Sequence, residues 1–562
     1  MYPAMLRISG LKMELGRMEE ELPAVVLSRL GLDSAKWGVG YWQIQRKSVD
    51  ARDKARIHWV YTIIFSITKT NSGGAGDDGA VENMVLQRGR KRKLHIERYE
   101  QEEYAIPSRF PAVYDRAENK LARAEYASVN RPLVAGFGPC GIFCAYVLAK
   151  AGLRPVVIER GRPIGERRRD VDKFWQHGIL NEDSNVLFGE GGAGAFSDGK
   201  LTTGIKDHRK PFVLETLAAA GGGDEIRYMN RPHIGTDLLR DVVGRLREDI
   251  IAEGGEVRFG NKLAGLVVDE KGALSGVELG DGEIVWAKAM ALAIGHSARD
   301  TFRALYGAGL SMVQKPFSMG FRIEHAQLMI DENQYGSKFN DIYGLSFERA
   351  GLPRAEYQLS HHCSGGNGVY TFCMCPGGHV IAAASEEEGV FTNGMSYHAR
   401  DGLFANSAVL AGVPVSAFGS GHPLAGLELQ RGVEHKAYLI SKEINYGKKN
   451  GYMPLSETLA ELRSPESLLS GCLPVGVLSN IHEALPVFGR KIEGFDDDSV
   501  RVTGPETRSS SPVRIVRGDD LQGSIPGVYP CGEGSGHAGG IMSAAIDGIK
   551  VAEAIIKISK GA

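Results

Sequence analysis

The chain has 562 residues, 43% of them hydrophobic and 24% charged, a composition that suits about two to four domains with ample buried cores. Its 66 Lys and Arg balance 68 Asp and Glu, so no global field draws it to nucleic acid or to an anionic membrane, and neither is expected as a partner. The apolar stretch Trp59–Ile67 falls far short of the roughly 20 residues that cross a bilayer, and Glu14, Glu19, Glu20 and Glu21 stand where a signal peptide needs an uninterrupted apolar region.

Residues 1–110 read as an N-terminal α+β module of ferredoxin-like type. Strands are expected over residues 5–9, 41–47 and 57–66, and a helix within residues 14–30. The Gly, Asn and Asp residues of 70–81 mark a flexible insertion, and the basic run Arg88, Arg90, Lys91, Arg92 and Lys93 reads as a solvated loop face, with polyanion binding as the alternative. Pro107 and Pro111 mark a linker into the next domain.

Residues 131–161, RPLVAGFGPCGIFCAYVLAKAGLRPVVIERG, contain a complete βαβ unit. A short apolar strand runs into Gly136, Gly138 and Gly141. A helix opened by Pro139 and Cys140 follows, and a second strand delivers Glu159. The glycines allow a tight turn, close approach of backbone to a pyrophosphate and close helix packing, while the helix N-terminus offers N–H groups and partial positive charge. A carboxylate at Glu159 accepts ribose hydroxyls and disfavours a 2′-phosphate, which points to FAD or NAD rather than NADP. The GxGxxG spacing recurs at Gly189/Gly191/Gly194 and Gly534/Gly536/Gly539, but only the first copy has a strand before it, a helix after it and a placed acid.

Beyond Glu159, Arg160, Arg162, Arg167, Arg168 and Arg169 are candidates for phosphate contact, with surface solvation the alternative. Repeated glycines in FGEGGAGAFSDGKLTTGIKD, including Gly191, Gly192 and Gly194, leave bare amides suited to a flat ring or a phosphate. Strands are expected within 251–261, 263–285 and 290–300, and the last ends at Gly295, His296 and Ser297, where an open α/β sheet places its ligand. Together these complete a first nucleotide-binding part over 111–310. Residues 311–500 read as an inserted substrate domain with a mixed sheet, and 501–562 return to the nucleotide domain through a strand, a turn with Gly532, Glu533, Gly540 and Ile541, and a long apolar helix. The expected architecture is α/β: a Rossmann-like (doubly wound, three-layer) FAD-binding domain with an inserted mixed α+β domain and the N-terminal module. The 7 cysteines, without a regular framework, suit a reducing compartment, so the cytoplasm is the expected location and a plastid one would need an added transit peptide.

GFGPCG with ERG and the late GVYPCGEG resemble the FAD-binding domain of the glutathione reductase superfamily. More narrowly, FGEGGAGAFSDGKLTT, PHIGTD, AIGHSARD, GFRIEH, FCMCPGG, ETRSSSPVRI and GEGSGHAGGIMSAAIDG are together similar to a family of bacterial and plastid FAD-dependent dehydrogenases without an assigned substrate. That resemblance implies FAD held at Gly136, Gly138, Gly141 and Glu159 on its ADP half, at Gly191, Gly192 and Gly194 near the ring, and at Glu533 on the ribityl chain. Ala195 and His537 depart from the Thr and the aromatic residue expected at their positions.

A flavin-linked dehydrogenase must place a small organic substrate over the ring, orient it, and supply or take a proton. Arg508 and Arg514 are candidate anchors for a substrate anion, with salt bridges or FAD phosphates as alternatives. Arg322 and Glu324 share a strand face in GFRIEH, with an internal ion pair as the alternative, and His296 and His537 are candidate proton donors. Side chains two apart in an extended strand put Cys373 and Cys375 about 6.5–7 Å apart, so a redox pair requires Pro376 and the glycines to bend the backbone. No spacing among Cys373, Cys375, His361, His362 and Cys363 matches a closed metal site, so no metal is expected. The expected activity is transfer of a hydride or electron pair between FAD and a small molecule, with NAD(P)H as a possible transient donor. A flavin monooxygenase and a non-catalytic FAD-binding regulator remain as alternatives, and self-association is left open.

Overall fold

In the first hundred residues, apolar side chains at period two build strands with one buried face. Leu6, Ile8, Leu11 and Met13 of β1 (Leu6–Glu14) are all buried, and the pairing register shifts between Ser9 and Leu11, which keeps the second half of the strand facing inward. With β2 (Trp37–Asp50), β3 (His58–Lys69) and β4 (His95–Arg98) it forms an antiparallel sheet of order β2-β3-β1-β4. Helices α1 (Leu22–Leu30) and α2 (Asp78–Lys91) complete a β-α-β-β-α-β chain order. The computed structural model describes residues 5–70, 78–100, 103–107 and 131–561, so most of the 70–81 insertion and the Pro111 end of the linker lie outside the described residues.

The basic run is a correction to the sequence reading. Arg88, Arg90 and Lys91 form the last turn of α2 rather than a loop. Arg88 Nη1 donates to the Gly31 carbonyl at 2.7 Å and Arg92 Nη1 to the Arg29 carbonyl at 3.4 Å, so these cations satisfy the open C-terminal carbonyls of α1. Residues 223–232 and 330–355 also group with this unit, which a contiguous division of the chain does not anticipate. The backbone of Lys47 exchanges hydrogen bonds with Tyr228 (2.8 Å) and Asn230 (2.9 Å), and the Tyr343 hydroxyl accepts from Ile57 N at 2.6 Å.

The second unit holds a five-stranded parallel sheet of β5 (Leu133–Ala135), β6 (Val156–Glu159), β7 (Glu256–Phe259), β11 (Met290–Leu292) and β22 (Val528–Pro530), in the order β22-β11-β5-β6-β7. Its central strands are buried on both faces, which is why they read as continuous apolar runs. Each such Val, Leu or Ile contributes on the order of 1.5–3 kcal/mol. The helix Pro139–Lys150 follows β5 and packs against the closing helix Ile541–Gly561; a Cβ on Gly548 would lie 2.1 Å from the Cys140 carbonyl oxygen. Strands β8 (Leu263–Val268), β9 (Leu274–Leu279) and β10 (Ile284–Trp286) make a separate antiparallel sheet, and β12 (Met312–Gln314) pairs with β21 (Val513–Ile515).

Strands β13 (Phe317–Ala326), β14 (Ser360–His362), β15 (Gly368–Cys375), β18 (Phe404–Val413), β19 (Leu455–Thr458) and β20 (Arg501–Glu506) form a six-stranded sheet of order β14-β15-β18-β13-β20-β19. Every described pair in it is antiparallel, where a mixed sheet was expected, and β20 carries it past residue 500 to Glu506. The hairpin β16 (His379–Ala383) and β17 (Phe391–Met395) accompanies it. Among the described residues, no helix is long and apolar enough to cross a membrane.

Candidate functional site

A cavity of about 380 Å³ opens at the carboxyl ends of the parallel strands. Gly136 and Gly138 follow β5, Glu159 and Arg160 close β6, Gly295 and His296 follow β11, and Gly532 and Glu533 follow β22; all eight line it. This is the position an open parallel sheet reserves for a ligand. Two helix N-termini border the same space, at Gly138, Pro139 and Cys140 and at Gly539, Gly540 and Ile541, so their free amides and partial positive charge converge on it.

The glycines make that convergence possible. Gly136 has φ +101°, and a Cβ there would meet the Ala293 carbonyl oxygen at 2.3 Å. A Cβ on Gly192 would lie 3.0 Å from the Gly138 Cα, so the first glycine turn and the 188–207 loop touch backbone to backbone, and Gly192 and Gly194 line the cavity beside them. Glu159 locks this arrangement. Its carboxylate accepts from Phe137 N (2.8 Å), Gly161 N (2.9 Å) and Gly189 N (2.9 Å), leaving about one of its four acceptor positions for a ligand hydroxyl. Arg160 stacks over Phe188 at 4.3 Å and donates to Asp300 at 2.7 Å.

Three residues expected to touch the cofactor serve the loops instead. Arg167 is fully buried and donates to the carbonyls of Asn185 (2.8 Å), Val186 (2.9 Å) and Glu190 (2.6 Å), with burial lowering it to about 9. A buried guanidinium needs all its donors met, and these carbonyls meet them, so it shapes the glycine loop and does not line the cavity. Gly191 donates to the Phe137 carbonyl at 2.9 Å, joining the two loops, and Gly141 lets the helix pass close to the Gly136 carbonyl; neither lines the cavity.

Of the catalytic candidates, His296 and Arg508 line the cavity. His296 Nδ1 lies 3.5 Å from Glu533 Oε1, while its Nε2 is buried without a hydrogen-bond partner. Arg508 takes the salt-bridge alternative while still lining the cavity. Its Nε and Nη2 bind the Glu434 carboxylate at 2.9 and 2.7 Å, its Nη1 binds Ser385 Oγ at 2.6 Å, and Arg299 grips the other side of Glu434 at 2.9 and 3.0 Å. Burial and the neighbouring Arg299 charge pull Arg508 below its usual range. Arg322 is also fully buried away from the cavity; its Nε sits 2.7 Å from Glu506, not Glu324, because β20 lies beside β13. His537 Nε2 contacts the Ile515 carbonyl at 3.0 Å, and Arg514 donates to the Gly536 carbonyl at 3.3 Å; both hold the last glycine loop and neither lines the cavity.

The sequence reading missed Asp198, Phe372, Asn393 and Glu506, which all line the cavity. Asp198 is wholly buried. Burial alone would raise its pKa, but Lys200 at 2.8 Å and Arg400 hold it well below the carboxylate range. Burial outweighs Arg322 at Glu506 and pushes it up to about 7. Asp198 carries a local signal, directly after the glycine loop in FSDGK; Glu506 carries none, since its partner is 184 residues away. Away from the cavity, His361, Cys363 and Glu483 bring ligand-type atoms within 4.8 Å of one another, but Ser364 N and Oγ already occupy the Glu483 carboxylate at 2.8 Å each.

Residues 316–509 match the family described as "FAD-dependent protein, C-terminal domain-like". It is 46% identical over 444 residues to an uncharacterized protein of Clostridium beijerinckii, covering 76% of this chain and 81% of that one, and it belongs to the same family. Similar solved structures include a flavocytochrome c3 fumarate reductase (TM-score 0.32, 12% identity, 81% of this chain and 83% of that one). They also include the halogenase PltM (0.35, 10%, 77% and 68%) and the glycine oxidase of Bacillus cereus (0.29, 11%, 76% and 95%). At such scores these likenesses carry no weight for function. The cavity's own features suit FAD: bare glycine backbone, two helix N-termini and an unpartnered buried His296 Nε2.

Proposed function

We propose that the protein is an oxidoreductase that moves a hydride or an electron pair between FAD in this cavity and a small organic substrate. The observation that carries the reading is the joint lining of one cavity by the ends of four parallel strands and two helix N-termini, with His296 on its wall. FAD supplies the acceptor for the hydride or electron pair. In this reading Gly136 and Gly138 admit the pyrophosphate, the amides beyond Gly138 and Gly540 face its charge, and the remaining acceptor position of Glu159 takes a ribose hydroxyl. The parallel sheet then serves as a doubly wound dinucleotide-binding layer. Arg160 borders the adenosine side, and Gly192, Gly194, Gly295 and Gly532 border the rest of the cofactor.

In this reading His296 holds the transferable proton on Nε2, and the Glu533 carboxylate, 3.5 Å from Nδ1, orients the ring. Anaerobic reduction of the purified protein tests the reading. The flavin absorbance is followed on addition of NADH, NADPH or a panel of small reductants, then of matching acceptors. Reversible bleaching by any donor supports an oxidoreductase; oxygen uptake coupled to substrate hydroxylation replaces it with a monooxygenase, and a flavin that no donor reduces replaces it with a regulatory role.

A further inference from the structure

At the end of β15, Phe372 pairs with Ala408 and Cys375 with Asn406, so two residues, Cys373 and Met374, stand opposite Ser407 alone. This is a bulge, and Cys373 at its centre has φ +44°, a left-handed conformation that side-chain-bearing residues rarely adopt. In a regular strand, consecutive residues face opposite sides. Here Phe372 and Cys373 both line the cavity. The bend comes from Cys373 itself, and it breaks the regular strand spacing between Cys373 and Cys375. The Cys375 thiol donates to the Cys373 carbonyl at 3.2 Å, which sets its sulfur against the bulge.

The surroundings make the pair unequal. Arg322, fully buried beneath the bulge, donates to the Cys373 carbonyl at 3.2 Å, lies 3.9 Å from Cys375 Sγ and is paired with Glu506. Cys373 is half-buried and borders the cavity, whereas Cys375 is fully buried and does not. The Cys375 thiol, and then the Arg322 charge, hold Cys373 below the ordinary thiol range; the thiolate on Cys373 and burial push Cys375 up. An exposed-side thiolate backed by a protonated partner is the asymmetry that thiol–disulfide chemistry requires. None of the other described cysteines combines such a bulge with the cavity.

We propose that Cys373 and Cys375 are a redox-active dithiol that exchanges an electron pair with the flavin in this cavity, an inference that rests on the oxidoreductase reading of the site. On oxidation the Cys375 S–H bond breaks and an S–S bond to Cys373 forms. The two electrons and that one proton pass to the oxidised flavin, leaving it as the anionic reduced form. The reverse reaction reduces the disulfide. Cys373 is the thiol that faces incoming chemistry, and Cys375 is the resolving partner.

The test uses the air-oxidised holoprotein, titrated anaerobically with dithionite. Wild type should take up about four electrons per flavin, two for the flavin and two for the disulfide, while Cys373→Ser and Cys375→Ser each take up about two with flavin retained. An uptake of about two by wild type overturns the pair. Alkylation of the reduced protein by iodoacetamide, read by peptide mass spectrometry across pH, gives a flavin-independent measure. Cys373 should react with a midpoint at least about one pH unit below the roughly 8.5 of a free thiol, and Cys375→Ala, which removes the donor, should raise it. An ordinary midpoint in wild type overturns the proposed asymmetry. A protein that takes up no flavin overturns the oxidoreductase reading and the electron exchange with it; a Cys373–Cys375 disulfide formed on diamide treatment would still separate that failure from the failure of the dithiol.

Discussion

One wall of the cavity is bare backbone and the other is buried charge. The glycine turns at Gly136–Gly138 and Gly192–Gly194 and the closing turn at Gly539–Gly540 offer amides and helix ends, while the six-stranded sheet and the segment after it offer Cys373, Glu506 and Arg508. The first wall's polar groups are fixed by the chain's own path. On the second, Arg322 and Glu434 sit behind the lining residues and carry charges that only distant partners neutralise. The difference teaches that, in the proposed reading, one wall binds the cofactor and the other tunes the chemistry.

Breaking the charged wall should give the largest effect. Glu434→Gln leaves Arg299 and Arg508 buried as like charges with too few acceptors, and should destabilise the protein by about 3–5 kcal/mol in urea unfolding; a loss under about 1 kcal/mol would show that the cluster is not dry. Next comes His296→Ala, which should leave flavin content unchanged and slow anaerobic flavin reduction by about a hundredfold, as loss of a proton donor does. An unchanged rate would assign the proton to another group.

The bare wall is sharpened by Gly138→Ala. The residue has φ −81°, and the added methyl would come no closer than 3.7 Å to Gly192 Cα, so the fold tolerates it. The methyl intrudes where the pyrophosphate would approach, and flavin affinity, read by fluorescence of released FAD, should fall about tenfold or more, about 1.4 kcal/mol. Retention of full affinity would place the pyrophosphate elsewhere.

The smallest effect is a pH slope from Glu506. Folded, its pKa is raised to about 7 from the ordinary 4.5 because burial penalises the carboxylate. The folded protein therefore holds this proton more tightly than the unfolded chain. The resulting stability is complete below about pH 4.5 and is lost as pH rises through 7, with a slope of at most about 1.4 kcal/mol per pH unit. Glu506→Gln should flatten that slope between pH 5 and 7; an unaltered slope would mean that Arg322 keeps Glu506 charged throughout.

The bare wall was legible in the sequence and the charged wall was not. Gly136, Gly138 and Glu159 lie within one βαβ unit, so turn, helix start and acid are specified by spacing alone. Arg508 and Arg322 were visible as candidates, but their clamps were not: Glu434 is 74 residues from Arg508, and Glu506 is 184 from Arg322. Arg167 was misplaced for the same reason, since only the folded loop shows three carbonyls waiting for it.

The sequence by itself determined the parallel strands, the glycine turns and the helix that follows the first of them, because backbone periodicity and turn chemistry act over a few residues. Tertiary structure alone decided which arginines are neutralised, which histidine nitrogen lacks a partner, and that Cys373 turns beside Phe372 into the cavity. Those outcomes depend on strands and loops distant in the chain that desolvate one another, and burial of a charge or a thiol is settled only by what surrounds it.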